Sequence, residues 1–214
     1  MGAVAPLHGL LLAGGRSRRM REDKALLRYH DQRTQLAVTH DLLSTVLDGE
    51  VKLSVRADQR DEPERARYAQ LIDLPDVEGP ASGIRAAQME APEAAWLVVA
   101  CDLPRLDLET LRTLVERRDA NADATAYVSS HDGLPEPLCA IWEPSSAHTL
   151  AAMLSEGRNC PRKALLRMNT TLIEQADPAS LDNANTPDER QRIATAIDSR
   201  SRPSAPASST QENA

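Results

Sequence analysis

Residues 7–24 read LHGLLLAGGRSRRMREDK. The apolar run Leu7 to Ala13, closed by Gly14 and Gly15, predicts a buried strand that delivers the chain into a loop. Arg16, Arg18, Arg19 and Lys24 follow, so that loop is basic as well as glycine-bearing. Glycines let backbone N–H groups approach phosphate oxygens closely, and a nest of such donors with cationic side chains can hold a triphosphate. Short glycine motifs are weak evidence, and a glycine turn carrying a solvated basic loop also accounts for these residues. Lys24 has neither the preceding Gly nor the following Ser or Thr of a Walker A loop.

Outward from this segment, strand and helix signals alternate. Leu36, Leu43, Val46 and Leu47 fall at helical spacing within Gln35 to Leu47, and Asp48-Gly49 supplies the stop. Val51 to Val55 reads as a strand. The run RADQRDEPERAR from Arg56 is too polar for a core element and predicts a solvated loop or exposed helix. Gln70 to Ile72 is a short strand ending at Asp73, and GPASG at Gly79 to Gly83 reads as a tight loop feeding a helix. WLVVAC, Trp96 to Cys101, is continuously apolar, as expected of a strand covered on both faces, and it ends at Asp102. A helix over Leu108 to Val115, strands at Ala124 to Val128 and Leu138 to Trp142, and a helix over Ser145 to Leu154 follow. Thr186 caps a last expected helix, Pro187 to Ile197. This alternation predicts a mostly parallel sheet wrapped by helices. The sequence should divide into one domain over residues 1–198 and a disordered Ser, Pro and Ala rich tail over 199–214.

In open parallel α/β sheets ligands bind at the carboxyl ends of the strands, so the residues there matter most. Asp102 could hold Mg²⁺, a cation that prefers oxygen ligands and bridges substrate phosphates, or could cap the next turn. Asp73 has the same ambiguity, its functional reading being an acceptor for a ribose hydroxyl. His8, His30, His40, His131 and His148 are scattered and read as surface or structural residues. No GxSxG, HExxH or kinase signature occurs.

Bulk properties exclude several classes. With 214 residues, 41% hydrophobic and 27% charged, the chain has an ordinary globular composition and is long enough for a full α/β core. Phe is absent, which leaves Leu, Val, Ile and Ala to fill that core. A formal charge of −7 argues against a general nucleic-acid binder, which needs a net basic face. Cys101, Cys139 and Cys160 have no CxxC spacing, so reduced thiols in a cytoplasm are expected rather than disulfides or a zinc site. The start, MGAVAPLHGLLLAGG, lacks a basic n-region and its apolar run is interrupted, so neither a signal peptide nor a membrane span is expected.

Taken together, LLAGGRSRRMREDKALL, GPASGI at 79–84, VACDLP at 99–104, PEPLCAIW at 135–142 and LDNANTPDE at 181–189 resemble the molybdenum cofactor guanylyltransferase family and its nucleotidyltransferase relatives. The resemblance spans about residues 7 to 195 in the family's order, and the NANTP element points to the molybdopterin branch. It implies a three-layer α/β/α sandwich with a mostly parallel, Rossmann-like sheet of the nucleotidyltransferase, GT-A-like type. Leu12, Ala13, Gly14 and Gly15 would receive the guanine nucleotide together with Ser17. Lys24 and Arg19 would act on its phosphates, Asp73 would lie by the nucleoside, and Asp102 would bind Mg²⁺. Asn183 and Asn185 would face the pterin. Gly15, where cytidylyl relatives look more like LAAG, favours GTP over CTP.

The resemblance further implies transfer of GMP from GTP to the terminal phosphate of molybdopterin, with release of pyrophosphate. Partners would be GTP, molybdopterin or the molybdenum cofactor, and the molybdoenzymes or chaperones that accept the product, with no nucleic acid and no membrane. Two alternatives stay open: a transferase using CTP or a sugar or alcohol phosphate, and a catalytically weak nucleotide- or cofactor-binding protein. The latter gains from one departure, Arg21 where the family has glycine. Arginine resists the positive φ that glycine accepts, so the loop should differ locally.

Overall fold

The computed structural model describes residues 4–15, 23–30 and 32–183. Its centre is a seven-stranded sheet built from β1 (Leu7–Leu12), β4 (Val51–Val55), β5 (Gln70–Ile72), β6 (Ala95–Ala100), β7 (Ala124–Val128), β8 (Pro135–Trp142) and β9 (Thr170–Ile173). The strand order is β5-β4-β1-β6-β8-β7-β9. β8 runs antiparallel to both of its neighbours, and every other neighbouring pair is parallel, which makes the sheet mostly parallel as the alternation predicts. A small antiparallel pair, β2 (Arg28–His30) and β3 (Arg33–Thr34), stands apart from it.

Helices cover both faces. Because side chains alternate across a strand, Leu11 packs toward α1 (Gln35–Val46) and α3 (Leu108–Glu116), while Leu10 and Leu12 pack toward α2 (Pro80–Glu90), α4 (Ser146–Ser155) and α5 (Pro161–Leu165). The result is three layers, α/β/α. All six residues of β6 are buried, as its continuous apolar run requires of a central strand. Trp96 lies opposite Trp142 of β8 on the α2 and α4 face, and both are fully buried. These tryptophans supply the aromatic bulk of a core that has no Phe.

Local chemistry sets the helix starts. The Thr34 side chain accepts from the Ala37 N–H to begin α1, and Asp107 accepts from Thr110 to begin α3. At α2 the structure corrects the expected loop over Gly79–Gly83. Gly79 alone makes the turn, at φ 80°, and Pro80 is already helical. Proline's fixed φ suits the first helical position, where its missing N–H would have had no intrahelical partner. The polar run from Arg56 contains two 3-10 turns, Ala57–Gln59 and Arg65–Arg67. It is not wholly solvated: Arg65 is 0% exposed. α5, β9 and the β2–β3 pair have no counterpart among the sequence expectations. Their stretches are short and only partly apolar, below the length at which periodicity speaks. The expected helix over Pro187 to Ile197 and the tail lie outside the described residues. Among the described residues no helix is long and apolar enough to cross a membrane.

Candidate active site

The C-terminal ends of β1, β4, β5 and β6 open on one cleft of about 870 Å³. Leu12, Ala13, Gly14 and Gly15 line it where β1 ends, and Lys24, Asp73 and Asp102 line it from other segments. Leu12 and Asp102, 90 positions apart in sequence, therefore share one cavity because the parallel strands β1 and β6 point their carboxyl ends the same way. Ser17, Arg19, Arg21 and Asn185 lie outside the described residues. Asn183 lines a smaller cavity of about 90 Å³ with Leu103, Glu136 and Arg162. Leu138 borders both cavities, so the two adjoin.

At the centre, Lys24 Nζ donates to Asp102 Oδ2 at 3.1 Å, with side chains 17% and 23% exposed. Asp102 sits just past the end of β6, where the Cys101 N–H still bonds the Leu12 carbonyl at 3.2 Å. That bond carries the β1–β6 pairing up to the residue before the carboxylate and so limits where the carboxylate can go. Lys24 rides on the 3-10 turn Lys24–Leu26, which Asp23 caps by accepting from the Ala25 N–H at 3.1 Å. Burial pushes the Cys101 thiol up to about 12, so it stays protonated near neutral pH and offers no nucleophile beside Asp102.

On the opposite wall, Ser54 Oγ donates to Asp73 Oδ1 at 2.5 Å. A Cβ on Gly14 would lie 2.5 Å from Asp73 Oδ2, so any larger residue there would force this carboxylate to shift. Arg56 donates from Nη1 to the Gly14 carbonyl at 2.5 Å and is itself held by Asp58 at 2.9 and 3.0 Å. Ser54 and Arg56 line the cleft and are absent from the sequence reading. Ser54 occupies a strand end, so the rule that found Asp73 and Asp102 could have found it. Arg56 opens a run that reads as solvent-facing.

Burial raises the pKa of Asp73, more than the Ser54 bond and the charge of Arg56 lower it. An acid with a raised folded pKa holds its proton longer in the folded state, so stability falls as pH rises from the unfolded to the folded pKa. Asp73→Asn is therefore expected to raise the urea midpoint at about pH 8, with the gain shrinking toward about pH 4, where both states approach protonation. Equal midpoints for variant and wild type at both pH values would show that the carboxylate carries no desolvation penalty.

The combination is a nucleotide-sized cleft at strand ends, a glycine-edged loop, the cations Lys24 and Arg56, and carboxylates that include Asp73 and Asp102. The chain is similar to known proteins in sequence and fold. The family model described as MobA-like NTP transferase domain matches residues 9–175. A molybdenum cofactor biosynthesis bifunctional protein of Synechocystis sp. is 32% identical over 188 residues, covering 88% of this chain and 54% of that protein. The chain thus spans about half the length of that relative. A molybdenum cofactor guanylyltransferase of Pseudomonas aeruginosa is 33% identical over 192 residues, 87% of this chain and 93% of the relative. Among solved structures, molybdopterin-guanine dinucleotide biosynthesis protein A from Archaeoglobus fulgidus superposes with a TM-score of 0.74 at 25% identity, covering 90% of this chain and 99% of that one. By fold and sequence, the chain belongs to the family of MobA-like NTP transferase domains.

Proposed function

We propose that this protein transfers GMP from GTP to the terminal phosphate of molybdopterin. A phosphate oxygen of the acceptor forms a bond to the α-phosphorus of GTP, the bond from that phosphorus to the bridging β-phosphate oxygen breaks, and pyrophosphate leaves. The attacking oxygen is already anionic near neutral pH, so no general base and no covalent enzyme intermediate are needed. Lys24 beside Asp102 is the observation that carries the reading, because it puts a cation and a carboxylate suited to a metal ion at the glycine loop. The names of the Pseudomonas and Archaeoglobus relatives supply the choice of substrates.

The chain's part is positioning and charge. Lys24 would turn from Asp102 to the phosphates and offset charge on the leaving group. Leu12 to Gly15 would hold the nucleotide, Asp73 would accept hydrogen bonds from the nucleoside, and Asn183 would meet the pterin from the adjoining cavity. Among the described residues no three His, Cys, Asp or Glu side chains cluster as a metal cage. A lone carboxylate at a phosphate site suits Mg²⁺, which is usually bound by one or two carboxylates plus waters and substrate phosphates. When bound at Asp102, Mg²⁺ would supply Lewis-acid neutralisation of the phosphate oxygens. Arg19, Ser17 and Asn185 are proposed to complete the loop and the pterin side. A reaction drawing on GTP suits a cytoplasmic protein.

The test is pyrophosphate release from GTP, CTP and ATP, each with Mg²⁺ and with or without molybdopterin. Release is expected with GTP only when the acceptor is present, and GTP with Mg²⁺ is expected to raise Tm by mass action. Release from CTP instead would reassign the nucleotide. GTP binding without release in the presence of acceptor would make the protein a nucleotide-binding module.

A further inference from the structure

We propose that Arg65 is a positioning residue of the nucleotide site, a buried guanidinium that ties the end of β1 to the turn carrying Lys24. Arg65 Nη2 donates to the Ala13 carbonyl at 2.9 Å. The same nitrogen lies 2.9 and 2.8 Å from the two carboxylate oxygens of Asp23. Nη1 donates to Glu62 Oε2 at 3.2 Å. The side chain is 0% exposed, although it comes from the most polar run of the sequence. A guanidinium without partners is expensive to bury, so its place here is set by what it holds.

Ala13 and Asp23 stand at opposite ends of the glycine and arginine segment, residues 14–22. One planar group touching both fixes the separation of the two ends of that segment. At the first end, a trans peptide places its C=O and N–H on opposite sides, so anchoring the Ala13 carbonyl also sets the direction of the Gly14 N–H. At the second end, Asp23 Oδ1 accepts from both Arg65 and the Ala25 N–H, which starts the turn that bears Lys24. Ala25 is 1% exposed, so that turn is anchored in the core. Through Asp23, Arg65 therefore governs where Lys24 stands relative to the β1 loop and Asp102. Arg56 repeats the device one residue on, holding the Gly14 carbonyl from the same polar run. The 56–67 segment thus braces the site from behind, a role that solvated polarity would not predict.

This inference rests on the nucleotide reading of the cleft, and its partners allow a test that separates the two. Asp23 is the contact on the loop side, whereas Glu62 also accepts from the Glu64 and Arg65 backbone N–H groups and so belongs to the segment's own folding. In the full chain, Asp23→Asn is expected to lower kcat/KM for GTP by about 10- to 100-fold, since misplacement on the ångström scale costs that much. Glu62→Gln should lower the urea midpoint and leave the GTP dissociation constant at its wild-type value. Arg65→Lys, which keeps the charge but is shorter and lacks the second nitrogen that binds Glu62, should fall between wild type and Asp23→Asn. A scaffolding role alone predicts instead that both carboxylate variants lose stability alike and bind GTP normally once folded, and that result overturns the proposal.

A second measurement needs no nucleotide. Amide exchange at Ala13 and Ala25, whose N–H groups bond the Ser54 carbonyl and Asp23, should speed up by about tenfold or more in Asp23→Asn and Arg65→Lys but not in Glu62→Gln. Unchanged exchange at both amides in Asp23→Asn removes the brace whatever the ligand is. Faster exchange in a protein whose wild type binds no GTP keeps the brace and removes the guanylyl reading.

Discussion

Asp102→Asn lowers the rate of pyrophosphate release by about 100- to 1000-fold, the usual loss when one preorganised electrostatic element at a developing charge is removed. The substitution keeps the size of the side chain, and an amide oxygen can still accept from Lys24, so the fold should survive. What disappears is the negative charge, and with it the attraction for Mg²⁺. The Lys24–Asp102 pair is partly solvent-exposed, so its loss should change stability by no more than about 1 kcal/mol. The rate must therefore fall far more than stability does. Raising Mg²⁺ should recover part of the loss, because weaker metal binding is offset by mass action. Pyrophosphate release and urea unfolding measured on the same variant decide the matter. An enzyme that unfolds early but turns over normally would reduce Asp102 to a structural ion pair, and one that is fully active would remove the metal role.

Gly83→Ala should be a strongly damaging single-methyl change. On an exposed helix the same substitution stabilises by roughly 1 kcal/mol through helix propensity. Gly83 instead lies in α2 where that helix crosses β4 and β1. An added Cβ would overlap the Ser54 hydroxyl and come within 2.7 Å of Ser54 Cβ and 2.9 Å of Leu12 Cδ2. Ser54 is 2% exposed and its hydroxyl is committed to Asp73, so it cannot swing aside without breaking that bond. Overpacking of this kind costs about 1–3 kcal/mol, occasionally more, and here it exceeds the propensity gain. With about 1–2 kcal/mol left after the propensity gain, at about 2–4 °C per kcal/mol for a chain of this size, Tm should drop by several degrees, on the order of 2–8 °C. The effect should reach the ligand as well: moving Ser54 releases Asp73, so GTP affinity should fall in the folded fraction. Adding Ser54→Ala removes the hydroxyl but not the Cβ contact, and it should restore only part of the stability. A Gly83→Ala protein as stable as wild type would show that α2 sits farther from β4 than this packing implies.

The amino-acid sequence by itself determined the layer order and which strand ends meet at the cleft. Leu7 to Ala13 and Trp96 to Cys101 are apolar enough to be central strands, and the helices between them show their spacing. Parallel topology then makes Asp73 and Asp102 strand-end residues beside Gly14 and Lys24 before any coordinate is known. Tertiary structure decided what one-dimensional pattern cannot carry. The reversal of β8 depends on which edge of β6 a strand joins, and its apolar pattern would serve in either direction. Gly79 and Gly83 look alike in GPASG, yet one makes a left-handed turn and the other admits Ser54, because the second role exists only once α2 meets β4. Arg65 is the extreme case. Its neighbours in sequence are charged and mostly exposed, and nothing local distinguishes it from Arg60 or Arg67. It becomes buried because Ala13, Asp23 and Glu62 converge on one point in space, and hydrogen bonds between residues 42 and 52 positions apart leave no trace in periodicity or composition.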